Sequence, residues 1–176
     1  MRSMIALMLM MVPAMALDSV YIDQVGDGNV LFVKQSDGDG KTSIILNKGN
    51  NNNLTIIQEG FGAHTAFIGI PPTGMMNGQF ITNFNGNNNS NNTLAIMQNG
   101  NANHTAAINM DASAANNNNT ASITQSGSAP KNFNFQLSGS GISATAVQDN
   151  ASIPDTASMS IQCLTPPCGG YSYTKH

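Results

Sequence analysis

An alternating run of residues that ends in glutamine, and that recurs along the chain, is the feature that most limits how this sequence can fold. Around Gly26 and Gly28, aliphatic and polar residues alternate on both sides of a turn, and the two runs end at Gln24 and Gln35. Such period-two alternation around a glycine turn predicts a strand–turn–strand unit. Each glutamine shares a strand face with aliphatic residues, so burial of that face requires a hydrogen-bond partner for its amide. An identical glutamine on a stacked copy of the unit provides one.

The unit does repeat, as this kind of stacking requires. Residues 29–35 recur 23 positions later as residues 52–58, and residues 54–68 recur 40 positions later as residues 94–108. A weaker third copy surrounds Gln125. A unit of about 23 residues is too thin to bury a core alone. The repeat therefore predicts an all-β fold, a two-sided β-solenoid of five to six strand–turn–strand rungs with cross-β-like spacing of about 4.8 Å.

The solenoid prediction assigns inward, stacking positions to glutamines, to one asparagine and to the aliphatic residues on the same faces. These positions are Gln24, Gln35, Asn47, Gln58, Gln98, Gln125, Gln136, Val20, Ile22, Leu31, Val33, Leu54, Ile56, Leu94 and Ile96. The turns are assigned to glycines at Gly26, Gly49, Gly60, Gly100 and Gly127. The two end rungs of such a stack have unpaired edges, to which another copy can add.

The order Gln-x-Gly-x-x-Asn-x-aliphatic-x-x-x-Gln resembles the curlin repeat of curli fibre subunits. The first unit carries it at Gln24, Gly26, Asn29, Leu31 and Gln35. The resemblance covers residues 18–69 closely and residues 93–162 loosely. It implies a secreted structural subunit of an extracellular, curli-like functional amyloid fibre that serves cell adhesion and the biofilm matrix. It also implies three kinds of partner: copies of the same chain, other curli-type subunits or a nucleator, and an outer-membrane secretion channel.

Five segments are expected along the chain. Residues 1–16 combine a basic start, a short apolar run and an Ala-x-Ala site, which predicts a secretory signal peptide. The other segments are curlin-like repeats at 17–70, a Pro/Gly/Asn-rich interruption at 71–92, irregular repeats at 93–162 and a disulfide-closed tail at 163–176. Cys163 and Cys168 are expected to pair, because two cysteines in an exported chain usually do. A loop closed in this way can act as an end cap.

Candidate metal ligands are few. His64 and His104 occupy matching positions just past a turn, and two stacked imidazoles can bind a metal. No carboxylate or thiol repeats beside them, so both are expected to be solvent-facing turn residues. The Asp/Gly stretch at 36–40 suggests a calcium loop, yet too few acids recur at the repeat period to form a ladder of ions. No metal and no cofactor are therefore expected.

Charge and motif content argue against other classes of function. Only 9% of the residues are charged and the net charge is −3, which disfavours a nucleic-acid partner. No motif for nucleophilic, zinc-dependent or phosphate chemistry is present, so we expect no enzyme activity and no small-molecule substrate. The alternative to a fibre subunit is a capped, monomeric β-solenoid that binds something, such as a surface adhesin or a virus-borne appendage protein. A fibre subunit should associate edge to edge, whereas a capped binder should stay monomeric.

Overall fold

The computed structural model describes residues 17–69, 74–76, 79–81, 89–111 and 113–176. The predicted signal peptide at 1–16 lies outside the described residues. The described parts contain strands and turns without a helix, and thus no helix that is long and apolar enough to cross a membrane. In chain order the strands are β1 (Ser19–Val25), β2 (Val30–Gln35), β3 (Thr42–Lys48), β4 (Asn53–Glu59), β5 (Thr65–Gly69), β6 (Gly74–Met76), β7 (Gln79–Ile81), β8 (Thr93–Asn99), β9 (Thr105–Met110), β10 (Thr120–Ser126), β11 (Lys131–Gly139), β12 (Ile142–Gln148), β13 (Asp155–Cys163) and β14 (Cys168–Lys175).

These strands form two six-stranded parallel sheets, together with a small antiparallel pair, β6 and β7. The first sheet has the order β1-β3-β5-β9-β11-β13, and the second has the order β2-β4-β8-β10-β12-β14. One strand from each sheet makes a rung, which gives the six rungs β1/β2, β3/β4, β5/β8, β9/β10, β11/β12 and β13/β14. The predicted all-β, two-sided solenoid is therefore confirmed, with about 24 residues per turn.

The core consists of columns in which like residues lie above one another. In the first sheet, Ile45, Ile68, Ile108 and Phe135 are in register on successive rungs, and each is fully buried. In the second sheet the predicted inward residues Leu54, Ile56, Leu94 and Ile96 are buried, while Leu31 and Val33 are partly buried against them. Burial of one such side chain contributes roughly 1.5–3 kcal/mol to stability. Strict alternation thus supplies a continuous apolar column for each sheet.

An insertion within the third rung explains the sequence offset of 40. β5 and β8 belong to the same rung, and the β6–β7 pair lies between them in the chain. Asn89 and Asn92 are already fully buried in the turn that leads into β8. The solenoid therefore resumes at residue 89, inside the segment that was predicted as an interruption at 71–92. The inserted residues lengthen the repeat without changing the register of the next strand.

The C-terminal segment differs from the expected tail at 163–176. Cys163 and Cys168 do form a disulfide, with their Cα atoms 5.8 Å apart, and it joins the end of β13 to the start of β14. β14 then pairs with β12 in the second sheet, with a register shift between Ile142 and Ser143. Tyr173 packs against Phe133, with ring centroids 5.1 Å apart. The segment is therefore the second strand of the last rung rather than an appendage.

Candidate functional site: polar ladders and open end rungs

A ladder of five glutamines runs through the solenoid, one on each of the first five rungs. The Nε2 of each donates to Oε1 of the next at 2.8–3.0 Å, in the order Gln35, Gln58, Gln98, Gln125 and Gln148. Each Nε2 also donates to a carbonyl at the start of the opposite strand, as from Gln58 to Thr42 at 3.1 Å. One amide therefore closes its own rung and fastens it to the following rung, which satisfies the buried polar group.

Gln136 does not belong to this ladder, and its predicted inward position is wrong. It is exposed because the alternation of β11 directs Phe133, Phe135 and Leu137 into the core. The prediction relied on the spacing of 11 residues after Gln125, whereas the ladder residue of the fifth rung is Gln148. That glutamine was recognisable as the residue 23 positions after Gln125, at the end of an alternating run.

The first rung is incompletely covered. Val20 and Ile22 are 50% and 46% exposed, and Gln24 is exposed as well. These three residues are in register with the buried residues of β3, so they face the inner side of the solenoid. The expected amide contact between Gln24 and Asn47 is replaced by a hydrogen bond from Gln24 Nε2 to the carbonyl of Gly26, at 2.8 Å. All three therefore face inward as predicted, but they stay exposed and Gln24 lacks the predicted stacking contact, because the described residues contain no rung before β1.

A second ladder consists of asparagines in the turn between the two strands of each rung. Its members are Asn29, Asn52, Asn92 and Asn119. The Oδ1 of each accepts the backbone N–H of the equivalent residue on the next rung at 2.8–3.0 Å. The Nδ2 of each also donates to a backbone carbonyl of the next rung. Each of these four asparagine amides therefore joins the turns of two successive rungs.

The five predicted turn glycines all have positive φ angles, between 89° and 146°. L-residues with a side chain rarely adopt that conformation. At Gly100 the stacking itself adds a second restriction, because a Cβ there would lie 2.1 Å from the carbonyl oxygen of Gly127. The predicted turn glycines are thus required at Gly100 for a further reason, because the neighbouring turn leaves no room for a side chain.

A column of ionisable residues begins each rung, and we call it the start column. From the first rung to the sixth it contains Asp18, Lys41, His64, His104, Lys131 and Asp155. Four of these residues, Lys41, His64, His104 and Lys131, are at most 1% exposed. The prediction that His64 and His104 face solvent is therefore wrong. Their rings stack in the interior, with centroids 4.9 Å apart and planes 4° from parallel.

Backbone groups satisfy most of the start column. The Lys41 ammonium donates to the carbonyls of Asp37 and Gly38 at 2.8 and 3.0 Å, within the Asp/Gly turn that leads into the second rung. The Lys131 ammonium donates to the carbonyl of Ile153. Among the described residues, no group of three or more histidine, cysteine or acidic side chains is arranged to hold a metal ion. The start column is therefore held by hydrogen bonds to backbone carbonyls and by stacking of the two histidine rings.

Both ladder and start column end on a charged cluster in the last rung. Asp155 accepts hydrogen bonds from Gln148 at 2.7 Å, from the Tyr173 hydroxyl at 2.9 Å and from Lys175 at 3.1 Å. Burial alone would raise the pKa of Asp155, but these three donors bring the pKa below its ordinary value. Lys175 is in register with Gln148, so a lysine takes the ladder position of the sixth rung.

No protein-family model, curated protein or solved structure matches this chain. Two ladders of amides and two parallel sheets make each rung a template for another rung of the same kind. The two ends of the stack differ, because Val20 and Ile22 are about half exposed at one end, whereas Lys175 donates to Asp155 at the other.

Proposed function

We propose that this chain is the secreted structural subunit of an extracellular, curli-like fibre, in which solenoids stack end to end for adhesion and matrix formation. The observation that carries the proposal is the uncovered inner side of the first rung. Val20 and Ile22 are about half exposed there, although Ser43 and Ile45, which are in register with them on the second rung, are fully buried. A rung from another copy would cover them in the same way.

The last rung presents apolar groups that suit this contact. Continuing the register past the sixth rung would bring Met159 of one copy against Ile22 of the next, and Tyr173 against Val33. Met159 and Tyr173 are only partly buried in the single chain. Burying two aliphatic side chains at such a junction contributes roughly 3–6 kcal/mol. The unpaired edges of both sheets would gain hydrogen bonds at the same time.

The direction of the glutamine ladder also favours head-to-tail stacking. Every ladder glutamine donates towards the C-terminal end, and Gln35 stands first, with no preceding rung among the described residues. In a stack, Lys175 of the preceding copy would occupy the ladder position next to Gln35. An ammonium can only donate, and the Oε1 of Gln35 accepts. The ladder would thus continue across the junction with its polarity unchanged.

Export and initiation complete the proposal. The signal peptide predicted at 1–16 would direct the chain out of the cell, and an outer-membrane channel would release it. Other curli-type subunits or a nucleator would provide the first template. Neither partner would need a special surface, because an exposed rung of the same period is a sufficient template.

Assembly of the purified mature chain, residues 17–176, tests the proposal. We expect unbranched fibres in electron micrographs and binding of an amyloid dye, after a lag that shortens as the protein concentration increases. X-ray diffraction of aligned fibres should contain a meridional reflection near 4.8 Å, from the rung spacing. A chain that stays monomeric in sedimentation experiments at high concentration, with and without added fibre seeds, would contradict the proposal.

A capped, monomeric adhesin is the second candidate function, and the charged cluster of the last rung favours it. Lys175 replaces the neutral glutamine that would continue the ladder and pairs with Asp155, and charges at a sheet edge discourage pairing. Such a chain would stay monomeric in the same sedimentation experiment. A surface that binds a partner would then have to lie on an outward sheet face.

A further inference from the structure

We propose that His64 and His104 form an acid-sensitive lock at the centre of the solenoid. Protonation of either ring would break its hydrogen bond to the following rung and separate the third, fourth and fifth rungs. The inference concerns the single chain and does not depend on whether copies stack into fibres. Its basis is the position of the two rings in the start column, where the hydrogen bonds define their protonation state.

The neighbours of each ring determine its tautomer. The Nδ1 of His64 faces the backbone N–H of His104 at 3.3 Å, and the Nδ1 of His104 faces the backbone N–H of Lys131 at 3.2 Å. A backbone N–H only donates, so both Nδ1 atoms are acceptors and carry no proton. The Nε2 of His64 lies 2.8 Å from the carbonyl of Glu59 and therefore donates to it. Both rings are thus neutral, with the proton on Nε2.

Adding a proton to either ring creates two conflicts. The new N–H at Nδ1 would point at another N–H, so the bond that ties the ring to the next rung would be lost. The buried Nε2 of His104 forms no hydrogen bond of good geometry, so the backbone carbonyls near it would only partly compensate a charge on that ring. The histidine pair therefore holds the central rungs together only while both rings are neutral.

The surrounding charges oppose protonation as well. Along the column the pair lies between Lys41 and Lys131, and the carboxylates of the column, Asp18 and Asp155, stand on the two end rungs. Across the solenoid, the strands that end beside the rings contribute Glu59, Asn99 and Ser126. The Glu59 carboxylate pairs with Lys34 on the outside. Two charged rings would thus place four consecutive positive charges along the axis at rung spacing.

The direction of the pKa shifts agrees with this geometry. Burial lowers the pKa of His104 from its usual 6.5 to about 4, with further lowering by His64 and Lys131 against the opposing effect of backbone carbonyls. Burial also lowers the pKa of His64, and Lys41 adds to that lowering while the Glu59 carbonyl opposes it. Between pH 6.5 and 4 the unfolded chain consequently binds more protons than the folded chain. Stability is then complete above pH 6.5 and is lost as the pH falls towards 4.

The molecule itself suggests a replacement that keeps the hydrogen bonds but cannot titrate. In the asparagine ladder, the Oδ1 of Asn52 accepts the backbone N–H of Asn92 at 2.9 Å, which is the role of Nδ1 in the histidine pair. The double substitution His64→Asn and His104→Asn should therefore preserve the acceptor on both rungs. The single substitutions His64→Asn and His104→Asn show how much of the pH dependence of stability comes from each ring.

Urea unfolding of the dilute, unassembled chain at several pH values tests the lock. Between pH 6.5 and 4 the unfolding equilibrium constant of the native chain should increase by about 80-fold more than that of the double variant, from His104 alone. Equal pH dependence of the native chain and the double variant would overturn the proposal. Fibre formation is scored separately, so a chain that never assembles still tests the lock.

NMR titration of the native chain provides a measurement that does not depend on how well a variant folds. The ring carbon protons of His64 and His104 should keep their neutral chemical shifts in the folded chain until it unfolds in acid. Reversible titration of either ring near pH 6.5, with the fold intact, would overturn the proposal.

Discussion

The Nε2 of Gln58 donates a hydrogen bond to Oε1 of Gln98 at 3.0 Å, although 40 residues of chain separate the two. The bond forms because β4 and β8 are adjacent strands of the second sheet, with Gln58 and Gln98 in register. The insertion between β5 and β8 lengthens the third rung but leaves this register unchanged. A one-residue slip of either strand would turn its glutamine outward and its aliphatic residues into water. The ladder therefore selects one register among the many that a repetitive sequence allows.

Replacing a central ladder residue should destabilise the chain. Gln98→Met keeps the volume of the side chain but removes the acceptor for Gln58 and the donor for Gln125, both of which are buried. Leaving buried polar groups without partners costs about 1–3 kcal/mol for each group, so the two groups together should lower the free energy of unfolding by about 2–6 kcal/mol. Chemical denaturation monitored by circular dichroism measures it.

Gln136→Met is the matched control for this experiment, because Gln136 is exposed on the outside of β11. A change at an exposed site of this kind should alter stability by no more than about 0.5 kcal/mol. If the two substitutions had equal effects, the ladder would not be the source of register and stability that its hydrogen bonds indicate.

The close approach of neighbouring turns predicts a second loss of stability. In Gly100→Ala the new Cβ would lie 2.1 Å from the Gly127 carbonyl oxygen, at a φ of 146° that alanine rarely adopts. The turn would have to shift, at a cost of at least about 2 kcal/mol in the free energy of unfolding. Gly169→Ala is the control, since nothing lies within 4 Å of its added Cβ. Thermal unfolding that ranks the two variants in the opposite order would refute this account.

Period-two alternation was sufficient to predict the solenoid, because each strand is half buried and inward residues recur every second position. The same rule predicted four of the five ladder glutamines. It failed at Gln136 because the 11-residue step, which spans the turn within a rung, was applied across the turn between two rungs. Across that turn the inward positions stay odd-numbered from Gln125 to Phe133 and Phe135, so Gln136 faces outward. The alternation can be followed within a strand, whereas whether a turn keeps or reverses it depends on which strands the turn connects.

The histidines show a different limit of sequence reasoning. His64 was interpreted as a solvent-facing turn residue because it lies just past a turn and no other metal ligand repeats beside it. It nevertheless continues the inward alternation of Ala66 and Ile68 backwards by one step. Extending the alternation to the residue before the strand would have placed both His64 and His104 in the interior. Composition argued against that placement, because ionisable side chains are rarely buried unless they have partners. Here backbone groups of adjacent rungs are those partners, and only the stacked structure shows them.

Charges on the uncovered first rung should prevent fibre growth without unfolding the subunit. Val20→Lys together with Ile22→Lys places two ammonium groups on half-exposed positions, which the single chain tolerates. At a stacked junction the same groups would be buried, which costs several kcal/mol and exceeds the gain from one apolar contact. We expect dye-detected assembly to be abolished or strongly delayed, while circular dichroism stays native.

Val30→Lys together with Phe32→Lys is the control on the same rung. These residues are 60% and 50% exposed but face outward, in register with Asn53 and Thr55. Their replacement should leave the lag time of assembly within a few-fold of that of the native chain. If both double variants assemble as fast as the native chain, the first rung is not the growing surface.

The start column predicts that Asp18 slows head-to-tail stacking. Continuing the register past the last rung places Asp18 of one copy next to Asp155 of another at about 5 Å, the spacing of two rungs. Two carboxylates at that distance repel by between about 1 kcal/mol in a water-like environment and about 3 kcal/mol near a protein surface. Lys175 already offsets part of the charge of Asp155, so the lower figure applies. Asp18→Asn removes the repulsion and keeps an oxygen that can accept the backbone N–H of Lys41.

The Asp18→Asn variant should therefore assemble at a critical concentration lower than that of the native chain by about fivefold. Asp23→Asn makes the same change of charge on the outward face of β1 and should leave the critical concentration nearly unchanged. The difference between the two variants should shrink at high salt, because screening weakens the interaction between carboxylates that are still partly exposed. Sedimentation of fibres from soluble chain gives both critical concentrations. Equal critical concentrations for the two variants would mean that the first rung of one copy does not stack directly on the sixth rung of another.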